Sequence, residues 1–207
     1  MERPENRPLL HDLRVVSRSA AFYRNPVLAG ALALYPVAAA GVGMRNAAAL
    51  SVLFVLTALP VQAALCLTGM LFPAWARPAA VLAACAVFWV PAALAAERLV
   101  PGSLDALGTA ACLTACSSAL YVRAAGYAPE HILPAALADA VGYSLGFAGV
   151  LFLVSAARQL WLEGGPWGGP AGGGAGLPFA GFLLLGFLAA LLRAIRLRRA
   201  RRAEKEG

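Results

Sequence analysis

Charge is scarce in this sequence. Only 13% of its 207 residues are Asp, Glu, Lys or Arg, against about 25% in ordinary soluble domains. Histidine is scarcer still: His11 and His131 are the only two, and both fall outside the long apolar stretches. The four cysteines form no Cys-x-x-Cys pair, which removes the commonest signature of a structural zinc site. There is no Ser/His/Asp set, glycine-rich phosphate loop, His-Glu-x-x-His or dinucleotide fingerprint. The sequence therefore offers no familiar catalytic or nucleotide-binding constellation.

What it has in abundance is apolar surface. Hydrophobic residues make up 61% of the chain and the mean hydropathy is +0.73, the composition of an integral membrane protein. Crossing about 30 Å of hydrocarbon at roughly 1.5 Å per residue takes roughly 20 residues. Six stretches qualify: Val27–Met44, Ala47–Phe72, Pro78–Ala96, Leu104–Val122, Leu133–Leu162 and Leu177–Ile195. All are expected as helices, because an open strand cannot satisfy its backbone in lipid.

The separators are short and rich in Gly, Pro and Arg, as at 41–45, 72–78, 97–103 and 123–131. None could hold a soluble domain. The expected organisation is an all-α, polytopic membrane domain over residues 25–195, between basic tails at 1–24 and 196–207. The tail before Val27 carries arginines like the n-region of a signal peptide, but the first apolar run starts far from Met1 and is followed at once by Arg45 and another apolar run, so the N-terminus is expected to be retained.

Arginine placement predicts orientation. Arg3, Arg7, Arg14, Arg18 and Arg24 precede the first span, and Arg193, Arg196, Arg198, Arg199, Arg201, Arg202 and Lys205 follow the last. With six spans both ends share one side with Arg77 and Arg123, leaving Arg45, Arg98 and Arg158 opposite. Both termini are therefore expected in the cytoplasm, where the net charge of +7 can meet anionic lipid head groups. So short a basic tail gives no support to a nucleic-acid site. The segment Glu163–Gly176, nearly all Gly and Pro, reads as an outer connecting loop.

Few residues carry chemistry. Cys112 and Cys116 are four apart, so on a continuous helix they share a face. They could supply half of a metal or iron–sulfur site, with Cys66 and Cys85 as completions, or serve as small apolar residues in a helix interface. Ser117 and Ser118 can bond back to the preceding turn and let helices approach closely. Arg123, at the end of its span, reads as an interfacial anchor. Asp139 stands inside the otherwise apolar fifth span, ahead of Gly142 and Gly146. It either faces a partner or ion path or lies near enough to the interface to be solvated.

The segments Asn25–Leu50, Leu107–Ala128, "ALADAVGYSLGF" and "AARQLWLEGG" resemble, in order and spacing, the six-span integral subunits of the Rnf and Nqr complexes, most closely the RnfE and NqrD type. Asn25-Pro26, Pro36, Asn46, Leu107-Gly108, Arg123, Asp139, Gly142, Gly146 and Arg158 fit that pattern. The resemblance implies an inverted repeat of two three-helix halves in a bacterial inner membrane. It implies a homologous sister subunit and further Rnf/Nqr-like subunits as partners, and an assembly that couples electron flow to Na⁺ or H⁺ movement. It also implies a [2Fe–2S] cluster shared with the sister subunit.

The family's two cluster ligands fall immediately before the first-span proline and five residues before the fourth-span arginine. Here those positions are Tyr35 and Ser118. Cys116 is two residues off, about 200° round a continuous helix; a break in that span would lift the objection. Tyrosine and serine are poor substitutes for thiolate, so no cluster is expected on this chain, and Asp139 is the expected ion-path residue. Two rival readings remain: a stand-alone small transporter or channel on the same fold, and a cluster retained through Cys116 and a partner's thiols.

Overall fold

A computed structural model of the chain describes residues 33–40, 43–163 and 177–206. The N-terminal tail, the start of the first expected span at 27–32 and the loop at 164–176 lie outside the described residues.

Within them the chain is helical throughout. Helix α1 is Leu34–Ala40, α2 Met44–Thr68 and α3 Arg77–Leu99; α4 (Ser103–Leu107), α5 (Thr109–Ala115) and α6 (Ser118–Gly126) follow in quick succession, then α7, Leu133–Leu162, and α8, Pro178–Glu206. Two short 3₁₀ turns, Gly69–Leu71 and Ala128–Glu130, close the inter-helix bends after α2 and α6. Proline marks the starts: Pro78 and Pro134 sit in the first turns of α3 and α7, and Pro178 opens α8, where a missing N–H costs nothing.

Among the described residues, four helices are long and apolar enough to cross a membrane: α2, α3, α7 and the 178–195 part of α8. Of the other two expected spans, the first lies partly outside the described residues and the fourth is corrected. In the first, only Leu34–Ala40 is described as helix, and Met44, assigned to its end, instead begins α2. The fourth, expected as one helix over Leu104–Val122, is three short ones. Gly108, with φ of 51°, separates α4 from α5, a left-handed conformation that glycine adopts without steric cost. Cys116 and Ser117 separate α5 from α6 through non-helical backbone, Ser117 lying at φ −63°, ψ 124°.

The centre is an antiparallel pair, α2 and α7. The Met44 amide donates to Gln159 Oε1 at 3.3 Å at one end and Cys66 Sγ to the His131 carbonyl at 3.1 Å at the other. Midway, Phe54 stacks on Phe147 with centroids 4.2 Å apart and meets Tyr143 edge-on. Small residues, Ala58, Ala140, Gly142 and Gly146 among them, are buried on these two helices and allow close approach in the absence of a hydrophobic driving force between helices in lipid.

Helix α3 packs outside this pair and on α5, where Trp89 Nε1 donates to the Ala111 carbonyl at 2.9 Å and Thr114 Oγ1 at 3.2 Å. At the end of α3, Glu97 caps the start of α4, accepting from the Gly102 amide, the Ser103 hydroxyl and the Leu104 amide. The outer faces of α3 and α8 present Leu82, Val87, Val90, Leu94, Phe182 and Phe187 uncovered. Apolar surface of that extent suits lipid as its solvent.

Candidate functional site: the crossing of two interrupted spans

Non-helical backbone interrupts the first and fourth expected spans, at Ala33 two residues before Tyr35 and at Cys116–Ser117 just before Ser118, and the two breaks meet. Ala33, immediately before α1, has φ of 55°, a left-handed conformation that costs a non-glycine residue roughly 1–2 kcal/mol. Its backbone N–H donates to Ser118 Oγ at 3.0 Å, across 85 residues of sequence. Ser118 is the first residue of α6, directly after the Cys116–Ser117 break. The N-termini of two half-helices, one from each half of the chain, are thus tied together by one hydroxyl.

Tyr35 lies two residues beyond Ala33 on α1 and is 45% exposed; Cys116 and Ser118, on the two sides of the fourth-span break, are exposed as well. The residues marked out by spacing are therefore brought to one crossing. Cys112 lies in α5, and Cys116 directly follows its last residue at non-helical dihedrals, φ −97° and ψ 21°, with both side chains exposed. Cys66 and Cys85 lie on α2 and α3, and among the described residues no three His, Cys, Asp or Glu side chains gather as a metal set. Ser118 does not bond back to the preceding turn; its hydroxyl oxygen serves the opposite half-helix.

A second polar locus sits in the bundle. Asp139 is 1% exposed, and Arg123 Nη1 donates to its Oδ1 at 3.1 Å. The alternative of a solvated Asp139 is thereby corrected, and Arg123, read as an interfacial anchor, is its ion partner from the last turn of α6. The reason is geometric: the fourth span ends in a half-helix packed on α2 and α3, and its arginine turns inward to the carboxylate on α7. The second carboxylate oxygen, Asp139 Oδ2, has no hydrogen-bond partner among the described residues.

Gln62, fully buried on α2, also has both side-chain polar atoms unpartnered among the described residues. The register set by Phe54 on Phe147 places it level with Asp139, each eight residues further toward the end of the bundle where Cys66 meets His131. Sequence reading passed over Gln62; an amide in the middle of an apolar span was its signal. His131 is exposed and stacks on Tyr127 with centroids 3.7 Å apart.

Arg158 was assigned to the outer side with the loop arginines. It is completely buried, its Nη1 donating to the Ala38 carbonyl at 2.6 Å and its Nη2 to the Leu177 carbonyl at 3.0 Å. A charged residue four positions before the end of a long apolar helix reads as an interfacial residue unless the neighbouring half-helix is known to end beside it.

Two interrupted spans meeting beside the long helices are the setting in which the family comparison acquires meaning. The family model described as Rnf-Nqr subunit, membrane protein, matches residues 14–192. The chain belongs to this family. It is a multi-pass membrane protein, an Rnf-Nqr membrane subunit, and the match covers every helix that forms the crossing. Among curated proteins none matches the chain significantly.

The [2Fe–2S] cluster implied by the resemblance can be tested against the donors at the crossing. Tyr35 and Ser118 offer oxygen where iron–sulfur clusters take thiolate, and the Ser118 oxygen already accepts a backbone N–H. These residues do not fit the cluster.

Proposed function

We propose that this Rnf-Nqr subunit works in a membrane assembly that couples electron flow to Na⁺ or H⁺ movement, as a scaffold and ion-path subunit that holds no cluster of its own. The observation that carries the reading is the Ser118 to Ala33 hydrogen bond. The hydroxyl at one expected ligand position performs the joining of half-helices that a shared metal centre would otherwise perform, so the crossing keeps its shape without one.

Its partners are a homologous sister subunit and other Rnf/Nqr-like subunits, and its place is the bacterial cytoplasmic membrane with both termini inside. The Arg123–Asp139 pair lies on the ion path. The buried carboxylate with one unengaged oxygen supports this, because an ionisable group is retained in a membrane interior at considerable cost.

The experiment compares the anaerobically purified assembly with its Cys116→Ser form for iron content and paramagnetic signal. Equal iron in both supports the proposal. Loss of iron on Cys116→Ser moves the ligand to Cys116 and overturns the cluster-free reading.

A further inference from the structure

A helix of seven residues is too short to sustain itself, since most of its backbone groups are end groups without intrahelical partners. Helix α1 is such a helix, and it carries Tyr35 to the crossing. Something outside it must fix its position. At its N-terminal end that is Ser118.

At the other end it is Arg158. Ala38 belongs to the last turn of α1, where carbonyls lack helical donors, and the Arg158 guanidinium supplies one from Nη1. The same planar group reaches Leu177, the residue before α8, with Nη2. Both bonds are made from a side chain with no solvent exposure, the largest fully buried side chain among the described residues. A cation at the carbonyl end of α1 also opposes the negative pole of its dipole.

The backbones of α1 and α8 are in direct apposition at this point. A Cβ built on Gly181 would stand 2.8 Å from the Cα and carbonyl oxygen of Ala38, so α8 can rest on α1 only because position 181 has no side chain. Arg158 thus reaches from α7 to the seam between α1 and α8 and pins both.

We infer that Arg158 is the positioning residue of the crossing: by clamping the C-terminal turn of α1 to the start of α8, it holds Tyr35 and the α1 N-terminus against the α5–α6 break. This rests on the crossing being the functional centre, as proposed above. The role needs the guanidinium fork. An ammonium is a single point donor and cannot hold two carbonyls in the same fixed geometry.

The test uses the full chain in native membranes, with Cys66, Cys85 and Cys112 replaced by Ala, Tyr35→Cys introduced and native Cys116 retained. A protease site is placed in the turn at 72–76. A short bis-maleimide then joins residues 35 and 116, and after cleavage the linked halves stay together on a gel. Yields are normalised to chain that remains monodisperse in mild detergent. With Arg158→Met the linked fraction is expected to fall about tenfold, the scale of leaving buried acceptors unpaired. With Arg158→Lys it falls part of the way, while Arg45→Gln leaves it unchanged.

An unchanged linked fraction in monodisperse Arg158→Met would overturn the inference and leave Arg158 as part of the general core. Should that variant not accumulate, Arg158→Lys decides: a reduced yield supports the positioning role and a full yield refutes it. The readout involves neither iron nor partner subunits, so it stands or fails independently of the assembly.

Discussion

Ser118 Oγ accepts the backbone N–H of Ala33 at 3.0 Å, and through that one bond the first span of the chain's N-terminal half is fastened to the first span of its C-terminal half. In a single continuous helix the Ala33 amide would bond four residues back. Because α1 begins afresh at Leu34, its leading amides need outside acceptors, and Ser118 supplies one.

Ser118→Ala removes that acceptor. The expected loss is about 0.5–1.5 kcal/mol, read as a lowered thermal midpoint in detergent micelles, with Ser118→Thr close to the parent. A Ser118→Ala variant as stable as the parent would mean the amide finds another acceptor.

Ala33→Gly acts in the opposite direction. The left-handed φ of 55° burdens alanine by roughly 1–2 kcal/mol and glycine hardly at all. The variant should unfold at a higher temperature, whereas Ala33→Val should unfold at a lower one.

Gly181→Ala places a methyl group 2.8 Å from the Ala38 backbone. Backbone cannot yield as a side-chain tip can, so α8 must lift from α1 at a cost of about 1–3 kcal/mol. Gly43→Ala, where nothing lies within 4 Å, is the control and should be tolerated by comparison.

Asp139→Asn leaves the Arg123 guanidinium without its carboxylate. Breaking a buried pair from one side costs about 3–5 kcal/mol, and because Arg123 keeps some access to the surface the smaller figure is expected. Ion transport by the reconstituted assembly should fall with it. Full transport in a stably inserted Asp139→Asn assembly would make the pair purely structural.

The membrane character and the four long spans were legible because a helix in lipid needs little beyond about 20 apolar residues. The fifth span was placed at Leu133–Leu162, the bounds of α7. The interrupted spans were legible in composition but not in continuity: "ACLTACSSALYVRAAG" is as apolar as a continuous helix would be, and its break at Cys116–Ser117 is set by packing against α1 and α3.

The same physics hid the charges. Arg123 and Arg158 stand where apolar runs end in sequence, which in a continuous span is the interface. In the folded chain, half-helices end inside the bundle, and arginines at those depths find carboxylates and carbonyls in place of water. Tyr35 and Ser118 could be picked out only through the family pattern, since nothing in a tyrosine or a serine announces a crossing.

The most direct measurement is a gentle-detergent, anaerobic isolation of the tagged chain from its own membranes, identifying every protein that accompanies it. The account predicts recovery with a homologous sister subunit and with flavin- and iron–sulfur-bearing subunits. Recovery of the chain alone, or only with copies of itself, would contradict it and make the protein a stand-alone transporter built on the same crossing.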